Sequence, residues 1–359
     1  MELNQIMKGV IDSGSPDLHL QIGQPPVIRT KNGELVALPG STSLLTEGDV
    51  NSVVDMIMTE QQKQIFETSH QVDFSYSIPN LSRFRVNVYK EKNGSAIAFR
   101  VISEDIPSME DLGLGDTAKS LAMQPNGLVL VTGPTGMGKS TVVASIIDYI
   151  NQNRRAHIIT IEDPIEFVYK NKQCLVTQRE LGNHTRSFAD AIKGALRQDP
   201  DVVLVGEMRD LETIAAAITL AETGHLVFST LHTTDAAQTV DRIIDVFPSY
   251  QQQQIRAQLS NTLKGVISQL LLPRADGDGR VAAREYMIVN DAISNCISKG
   301  ETHQIPSIMQ INADEGMILM DTALENLYKE GLITADEALS KASDSESLQA
   351  RLQSLQTVS

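Results

Sequence analysis

Between positions 133 and 141 the chain reads Gly133-Pro134-Thr135-Gly136-Met137-Gly138-Lys139-Ser140-Thr141. This fits G-x-x-x-x-G-K-[ST], a loop whose backbone N–H groups turn inward around a row of phosphates. In such a loop Lys139 reaches the β- and γ-phosphates and the Ser140 hydroxyl ligates Mg²⁺; Thr135, Met137 and Thr141 complete the cradle. Leu128-Val129-Leu130-Val131 reads as a short buried strand entering the loop, and Val142 to Ile150 as a helix leaving it. The helix N-terminus then faces the phosphates. A glycine-rich structural turn is the bland alternative, and the strand before and helix after the loop argue against it.

Four further clusters could carry chemistry. Glu162-Asp163-Pro164-Ile165-Glu166 follows the apolar strand Ile158-Ile159-Thr160-Ile161. In open α/β sheets ligands lie beyond the carboxyl ends of strands, where carboxylates orient or deprotonate an attacking water. Alone, such a cluster would be a solvated acidic turn. Asp199-Pro200-Asp201 leads into Val202-Val203-Leu204-Val205-Gly206-Glu207, the outline of a Walker B strand whose acid holds Mg²⁺ directly or through water. The usual Asp at the strand end is absent; Gly206 stands there and Glu207 follows. In Gly224 to His232, histidines sit at both ends of a strand. Their odd spacing sends them to opposite faces, so they do not form one metal site. Either can contact a γ-phosphate or relay its presence to a neighbour. Arg83, Arg85, Lys90, Lys92 and Arg100 form a basic hairpin. This is ordinarily a solvated sheet face, but beside a nucleotide domain it can supply cations across a subunit boundary.

The elements that must position these groups fall into two parts. A chain of 359 residues suggests about two domains. Residues 1–103 read as a small α+β module. It has a helix over Leu3–Ile11, a strand over Asp17–Ile22, a hairpin of Val27–Arg29 and Leu35–Val36 about Lys31-Asn32-Gly33, and one helix over Asp49–Phe66. A second hairpin joins Arg83–Tyr89 to Ser95–Ile102. Residues 104–118 read as a linker, 119–342 as the nucleotide-binding domain with its C-terminal helices, and 343–359 as a polar, frayed tail. Strands at Leu128–Thr132, Ile158–Ile161, Val202–Val205 and Leu226–Leu231 alternate with helices, predicting a mostly parallel sheet covered on both faces. Beyond Ala236 the chain is expected to be mainly helical.

A formal charge of −15 argues against a nucleic-acid motor, since binding a polyphosphate needs a positive field, though a ring can hide a basic pore. Cys174 and Cys296 are far apart, which predicts neither a disulfide framework nor a zinc site and suits a reducing cytosol. No basic segment followed by an apolar stretch opens the sequence and no apolar run nears spanning length, so neither a secretory leader nor a membrane span is expected.

Taken together, the motifs resemble those of the secretion ATPases of type IV pilus and type II secretion systems, and within them the pilus retraction (PilT-type) ATPases. Asp17-Leu18-His19-Leu20 resembles their N-terminal signature, Gly133–Thr141 their Walker A loop, Thr160–Phe167 their Asp box, Asp199–Asp210 their atypical Walker B, which accounts for Gly206, and Gly224–His232 their His box. The resemblance covers nearly the whole chain. It implies a PAS-like α+β N-terminal domain joined to a RecA-like P-loop domain with a helical C-terminal part. It also implies a cytoplasmic homohexamer that hydrolyses ATP with Mg²⁺ to power pilus retraction. Its partners would be an inner-membrane pilus platform protein, which brings it to the membrane, and a second retraction ATPase. By position it implies Glu166 as catalytic base, Lys139 and Ser140 on phosphates and Mg²⁺, Glu207 on metal and water, and His232 near the nucleotide. Arg83, Arg85 and Arg100 would reach the phosphates.

Three departures stand out. Met137 replaces a usual Ser, Asn93 a usual hairpin Arg, and Ser294 and Ser298 two arginines in a short helix over Asp291–Lys299. The last bears on retraction rather than on ATP chemistry. An accessory (PilU-like) retraction ATPase remains a second reading, and a RecA-like nucleic-acid motor a third.

Overall fold

The computed structural model describes residues 3–30, 33–79, 81–102, 105–277 and 279–356. Lys31 and Asn32 of the first expected turn, residues 103–104 at the expected linker start, and the last three residues of the tail lie outside these. The chain divides into two compact units. The first holds residues up to Asp105 together with Pro164–Val168; the second holds Ile106–Asp163 and Tyr169 onward.

The first unit contains α1 (Leu3–Asp12), β1 (Asp17–Leu20), β2 (Val27–Arg29), β3 (Leu35–Ala37), α2 (Glu47–Ile57), α3 (Glu60–Ser69), β4 (Gln71–Ile78), β5 (Ser82–Glu91) and β6 (Gly94–Ile102). Its strands form one antiparallel sheet in the order β3-β2-β1-β6-β5-β4. Val50, Val53 and Val54 of α2 join Leu3, Met7 and Val10 of α1 over Leu18, Phe84, Val86 and Phe99 of the sheet. The helix expected over Asp49–Phe66 is two helices. Thr59 accepts from the Gln62 amide while Gln62 reaches back to Thr59, and this capping box restarts the chain as α3. β4 is an added strand. Its Val72, Phe74, Tyr76 and Ile78 alternate, but no Gly or Pro separates it from α3, which ends on His70 in a left-handed conformation (φ 61°).

The second unit contains α4 (Asp116–Ala122), β7 (Gly127–Thr132), α5 (Lys139–Asn153), β8 (His157–Glu162), β9 (Leu175–Glu180), α6 (Phe188–Ala195), β10 (Val202–Val205), α7 (Leu211–Glu222), β11 (Leu226–Leu231), α8 (Ala236–Asp245), α9 (Ser249–Thr262), β12 (Leu263–Pro273), β13 (Arg280–Ile288), α10 (Asp291–Lys299), α11 (Ile305–Ile311), α12 (Met320–Lys329), α13 (Ala335–Lys341) and α14 (Ser345–Gln356). Its sheet runs β13-β12-β7-β11-β10-β8-β9, parallel throughout except for the β12–β13 pair. β7, β10 and β11 are buried at every residue, as befits strands covered on both faces.

The stretch beyond Ala236 is mainly helical, as expected, but it also supplies β12 and β13, which the sequence pattern does not mark. Burial on both sheet faces makes β12 a near-continuous apolar run, which periodicity cannot distinguish from a buried helix. The expectation of a frayed tail is corrected: α14 buries Leu348 and Leu352 against Met320 and Leu324 of α12. Among the described residues no helix is long and apolar enough to cross a membrane.

Candidate active site

In a parallel sheet every strand ends on the same edge. The carboxyl ends of β7, β8, β10 and β11 therefore present Gly133–Lys139, Glu162, Glu207 and His232 along one rim.

The loop after β7 is shaped by its glycines. Gly136 and Gly138 have φ of 80° and 75°, which L side chains rarely adopt. A Cβ on Gly133 would lie 2.3 Å from the Gln269 carbonyl oxygen of β12. Backbone thus packs on backbone, and the loop has no room for a side chain at that point. α5 begins at Gly138 with no side-chain cap. By contrast, Ser187, Asp210, Asp235 and Asn290 each cap their own helices. The first amides of α5 are thus left for an anion. Lys139 Nζ donates to the carbonyls of Gly133 (2.7 Å) and Pro134 (3.0 Å), which curls its side chain back over the loop. Ser140 and Thr141 stand half-buried in the first turn of α5.

His232 lies across from this lysine. Its Nδ1 is 3.4 Å from Lys139 Nζ and 3.4 Å from Thr135 Oγ1, and its Nε2 is 3.7 Å from a Glu207 carboxylate oxygen. An ammonium can only donate, so Nδ1 is the acceptor and the ring proton sits on Nε2, facing Glu207. Glu207 is also held by Arg209 Nε at 2.7 Å. Lys139, His232 and Glu207 thus form one chain across β7, β11 and β10. His225, at the other end of β11, bonds instead to the Leu220 carbonyl and Thr223 Oγ1. The ends of a parallel strand, more than its faces, separate the two histidines.

Gly206 has a steric reason to be glycine. A Cβ there would meet the Ile161 carbonyl oxygen at 3.3 Å and Glu162 Cα at 3.4 Å, so the acid falls one residue later. Glu162 itself is a site residue that the resemblance did not single out. It ends β8 at 8% exposure, and its Oε1 accepts from Thr160 Oγ1 at 2.6 Å and from Gln178 Nε2 at 3.3 Å. Its position as the last residue of an apolar strand was the available signal. Glu166 is exposed and belongs with the first unit.

Arg83, Arg85 and Arg100 also lie in the first unit, on adjacent strands where Arg85 pairs in register with Arg100. Arg100 Nε donates to Asp17 at 2.7 Å. That bond, followed by the charges of Asp17 and Glu166, raises the guanidinium pKa. Arg85 stands 3.9 Å from Asp73.

Further residues missed in the sequence brace the loop from β12 and β13. Gln269 Nε2 donates to the Met137 carbonyl at 2.6 Å, and Arg284 Nε donates to Gln269 Oε1 at 2.6 Å. Arg284 also donates to the Gly113 carbonyl at 3.2 Å, and its burial lowers the guanidinium pKa. The Met137 sulfur faces the Leu271 amide at 3.3 Å, so this side chain packs on β12 while the loop's amides remain turned to the rim.

Among the described residues no cluster of three or more His, Cys, Asp or Glu is arranged to hold a metal unaided. Mg²⁺ suits such a rim, because it retains waters and takes one or two protein ligands plus substrate phosphates. Ser140 and Glu207 are the residues that would hold it.

The family described as Type II/IV secretion system protein matches residues 2–355. The chain belongs to that family. It is 46% identical over 344 residues to the type IV pilus retraction ATPase PilT of Pseudomonas aeruginosa, covering 95% of this chain and 98% of the relative. It is 50% identical over 300 residues to a twitching motility protein of Neisseria gonorrhoeae, covering 84% and 80% respectively. A crystal structure of the pilus retraction motor PilT with bound ADP superposes with a TM-score of 0.91 at 46% identity, covering 98% of this chain and 99% of that one. The fold is that of a RecA-like secretion ATPase preceded by an α+β domain.

Proposed function

We propose that this chain is a motor ATPase that hydrolyses ATP to drive retraction of a type IV pilus. The observation that carries the reading is the linked set Lys139, His232 and Glu207 on the carboxyl rim of the sheet, beside an uncapped α5. This set occurs in a chain with near full-length likeness to a pilus retraction ATPase.

Each residue has a task set by its chemistry. The loop amides and Lys139 bind the β- and γ-phosphates. Ser140 and Glu207 would hold Mg²⁺, which would neutralise the charge that develops on the phosphates. His232, with its proton on Nε2, answers to whatever Lys139 and Glu207 hold between them. Glu166, or Glu162 four residues earlier, takes the proton of the attacking water. Arg83, Arg85 and Arg100 serve as cations for a neighbouring subunit's nucleotide, which calls for a ring, a homohexamer by family likeness. The ring works on the cytoplasmic face of the inner membrane, against a platform protein and beside a second retraction ATPase.

Lys139→Ala tests the reading. The variant is expected to keep its fold, lose Mg²⁺-dependent phosphate release from ATP, and fail to restore twitching in a retraction-deficient host. Wild-type-like hydrolysis by Lys139→Ala sinks the site. Full hydrolysis by the wild type with no rescue of twitching, in any host, sinks the pilus assignment alone.

A further inference from the structure

Glu285 of β13 has no part in the chemistry above, yet it is a carboxylate kept at 4% exposure. Its Oε1 accepts from the Ala236 amide at 2.7 Å, and its Oε2 from the Met320 amide at 3.1 Å. Ala236 and Met320 are the first residues of α8 and α12. The opening amides of a helix have no partner inside it, so one side chain from a third element serves two helix starts at once. α8 also has its own cap in Asp235, whereas the Leu319 side chain gives α12 none.

The connection bears on the active site through sequence distance. Ala236 lies four residues after His232. The intervening loop is bound to α8 by the Thr233–Thr239 hydroxyl contact at 2.6 Å and by Thr239 Oγ1 donating to the Asp235 carbonyl at 2.7 Å. Where the start of α8 goes, the loop bearing His232 goes too. On the other side, α12 is packed with α13 and α14 through Leu324, Ile333, Ala338, Leu348 and Leu352.

A carboxylate is a costly way to fill this space. Burial, and to a lesser degree the charges of Asp235 and Asp321, push its pKa up to about 7. An apolar side chain would avoid that cost, so packing alone does not account for an acid here. What an apolar residue cannot do is accept two N–H groups with one rigid group.

We propose that Glu285 is a positioning residue: by joining the Ala236 and Met320 amides it holds the His232 loop in register with α12. The histidine side of the active site and the C-terminal helices then shift as one body. The proposal rests on the ATPase reading for its kinetic consequence, and on the two hydrogen bonds alone for its mechanical one.

Glu285→Gln tests both in the full-length protein. The amide keeps the shape of the side chain but can accept through only one of the two terminal atoms. Folding is checked by circular dichroism and melting. The expected result is a kcat for ATP about tenfold below wild type, with KM changed less than about twofold, as for a group held slightly out of place. In a His232→Ala background the same substitution should add less than about a twofold loss, because the two act in series. Hydrogen exchange gives a readout that does not use ATP: peptides covering 233–240 and 317–324 should both lose protection in Glu285→Gln. If only one peptide loses protection, or neither does, the tie between the helices is overturned whatever the ATPase result. If kcat per folded molecule is unchanged, or the losses with His232→Ala multiply in full, the positioning role is overturned. A wild type with no Lys139-dependent hydrolysis would instead tell against the ATPase reading.

Discussion

Arg284 and Glu285 are neighbours on β13 that serve opposite sides of the sheet. Arg284 donates to Gln269, which in turn donates to the Met137 carbonyl of the phosphate loop, while Glu285 accepts from Ala236 at the foot of the His232 loop. Successive residues of a strand face opposite ways, so one dipeptide braces both loops that flank the nucleotide rim. The first prediction concerns the Arg284 side. Gln269→Ala leaves the Met137 carbonyl without this donor and Arg284 Nε without its acceptor, while the Arg284 bond to Gly113 remains. ATP binding should weaken by about five- to tenfold, in keeping with the loss of one or two hydrogen bonds. Titration with a fluorescent ATP analogue reads this directly, and unchanged affinity means the loop stands without its brace.

Two of the three carboxylates of the Asp box, Glu162 and Glu166, should separate. Glu162→Gln is expected to slow hydrolysis by at least about 100-fold with nucleotide binding retained, the range for losing a general base. Glu166→Gln is expected to cost less. Single-turnover phosphate release on both variants decides, and the reverse ranking makes Glu166 the base.

Ser294 and Ser298 should respond differently to arginine. Ser294 is half-buried and its hydroxyl donates to the Ser260 carbonyl of α9 at 2.8 Å, whereas Ser298 is exposed. Ser294→Arg must break that bond and displace α9 contacts, costing about 1–3 kcal/mol of stability. Ser298→Arg should change stability by less than about 0.5 kcal/mol. Chemical denaturation of each variant measures the difference. If both are neutral, the α9–α10 contact is not a constraint at position 294.

Leu348→Ala should destabilise the protein by about 2–5 kcal/mol, because the side chain is fully buried between α14 and α12. A melting curve checks it. A shift within error would return α14 to the status of a loose tail.

The pH dependence of stability should carry the mark of Glu285. Its folded pKa of about 7 lies above its ordinary 4.5, so the folded state binds the proton more tightly than the unfolded chain does. Stability from this group is therefore gained as pH falls from about 7 towards 4.5 and is lost above 7. Asp235, also raised chiefly by burial, works in the same direction. The unfolding free energy of wild type minus that of Glu285→Gln should rise between pH 8 and pH 5.5. Groups common to both proteins cancel in the difference, and a flat difference contradicts the shift.

What the sequence determined by itself is what local chemistry dictates. Gly133 to Thr141 reads as a phosphate loop, because its glycines and its lysine stand at the spacing that a phosphate cradle requires and a strand and a helix flank it. The strands ending at Thr132, Glu162, Val205 and Leu231 were legible from their apolar runs, and so was the rule that their ends carry the chemistry. Local pattern could not show which strands become neighbours. The order β7-β11-β10-β8 sets His232 and Glu207 next to Lys139, although 93 residues separate the histidine from the lysine. Nor could it show that the apolar run from Leu263 is a strand, since burial on both faces erases the period that tells strand from helix. With that strand hidden, Gln269, Arg284 and Glu285 had no visible place, and their roles exist only once β12 lies beside β7. Ion pairs such as Arg100 with Asp17 were equally out of reach, because they depend on which strands meet. Glycine and capping chemistry act over a few residues and can be read in order; partner choice between distant side chains is decided by the assembled sheet.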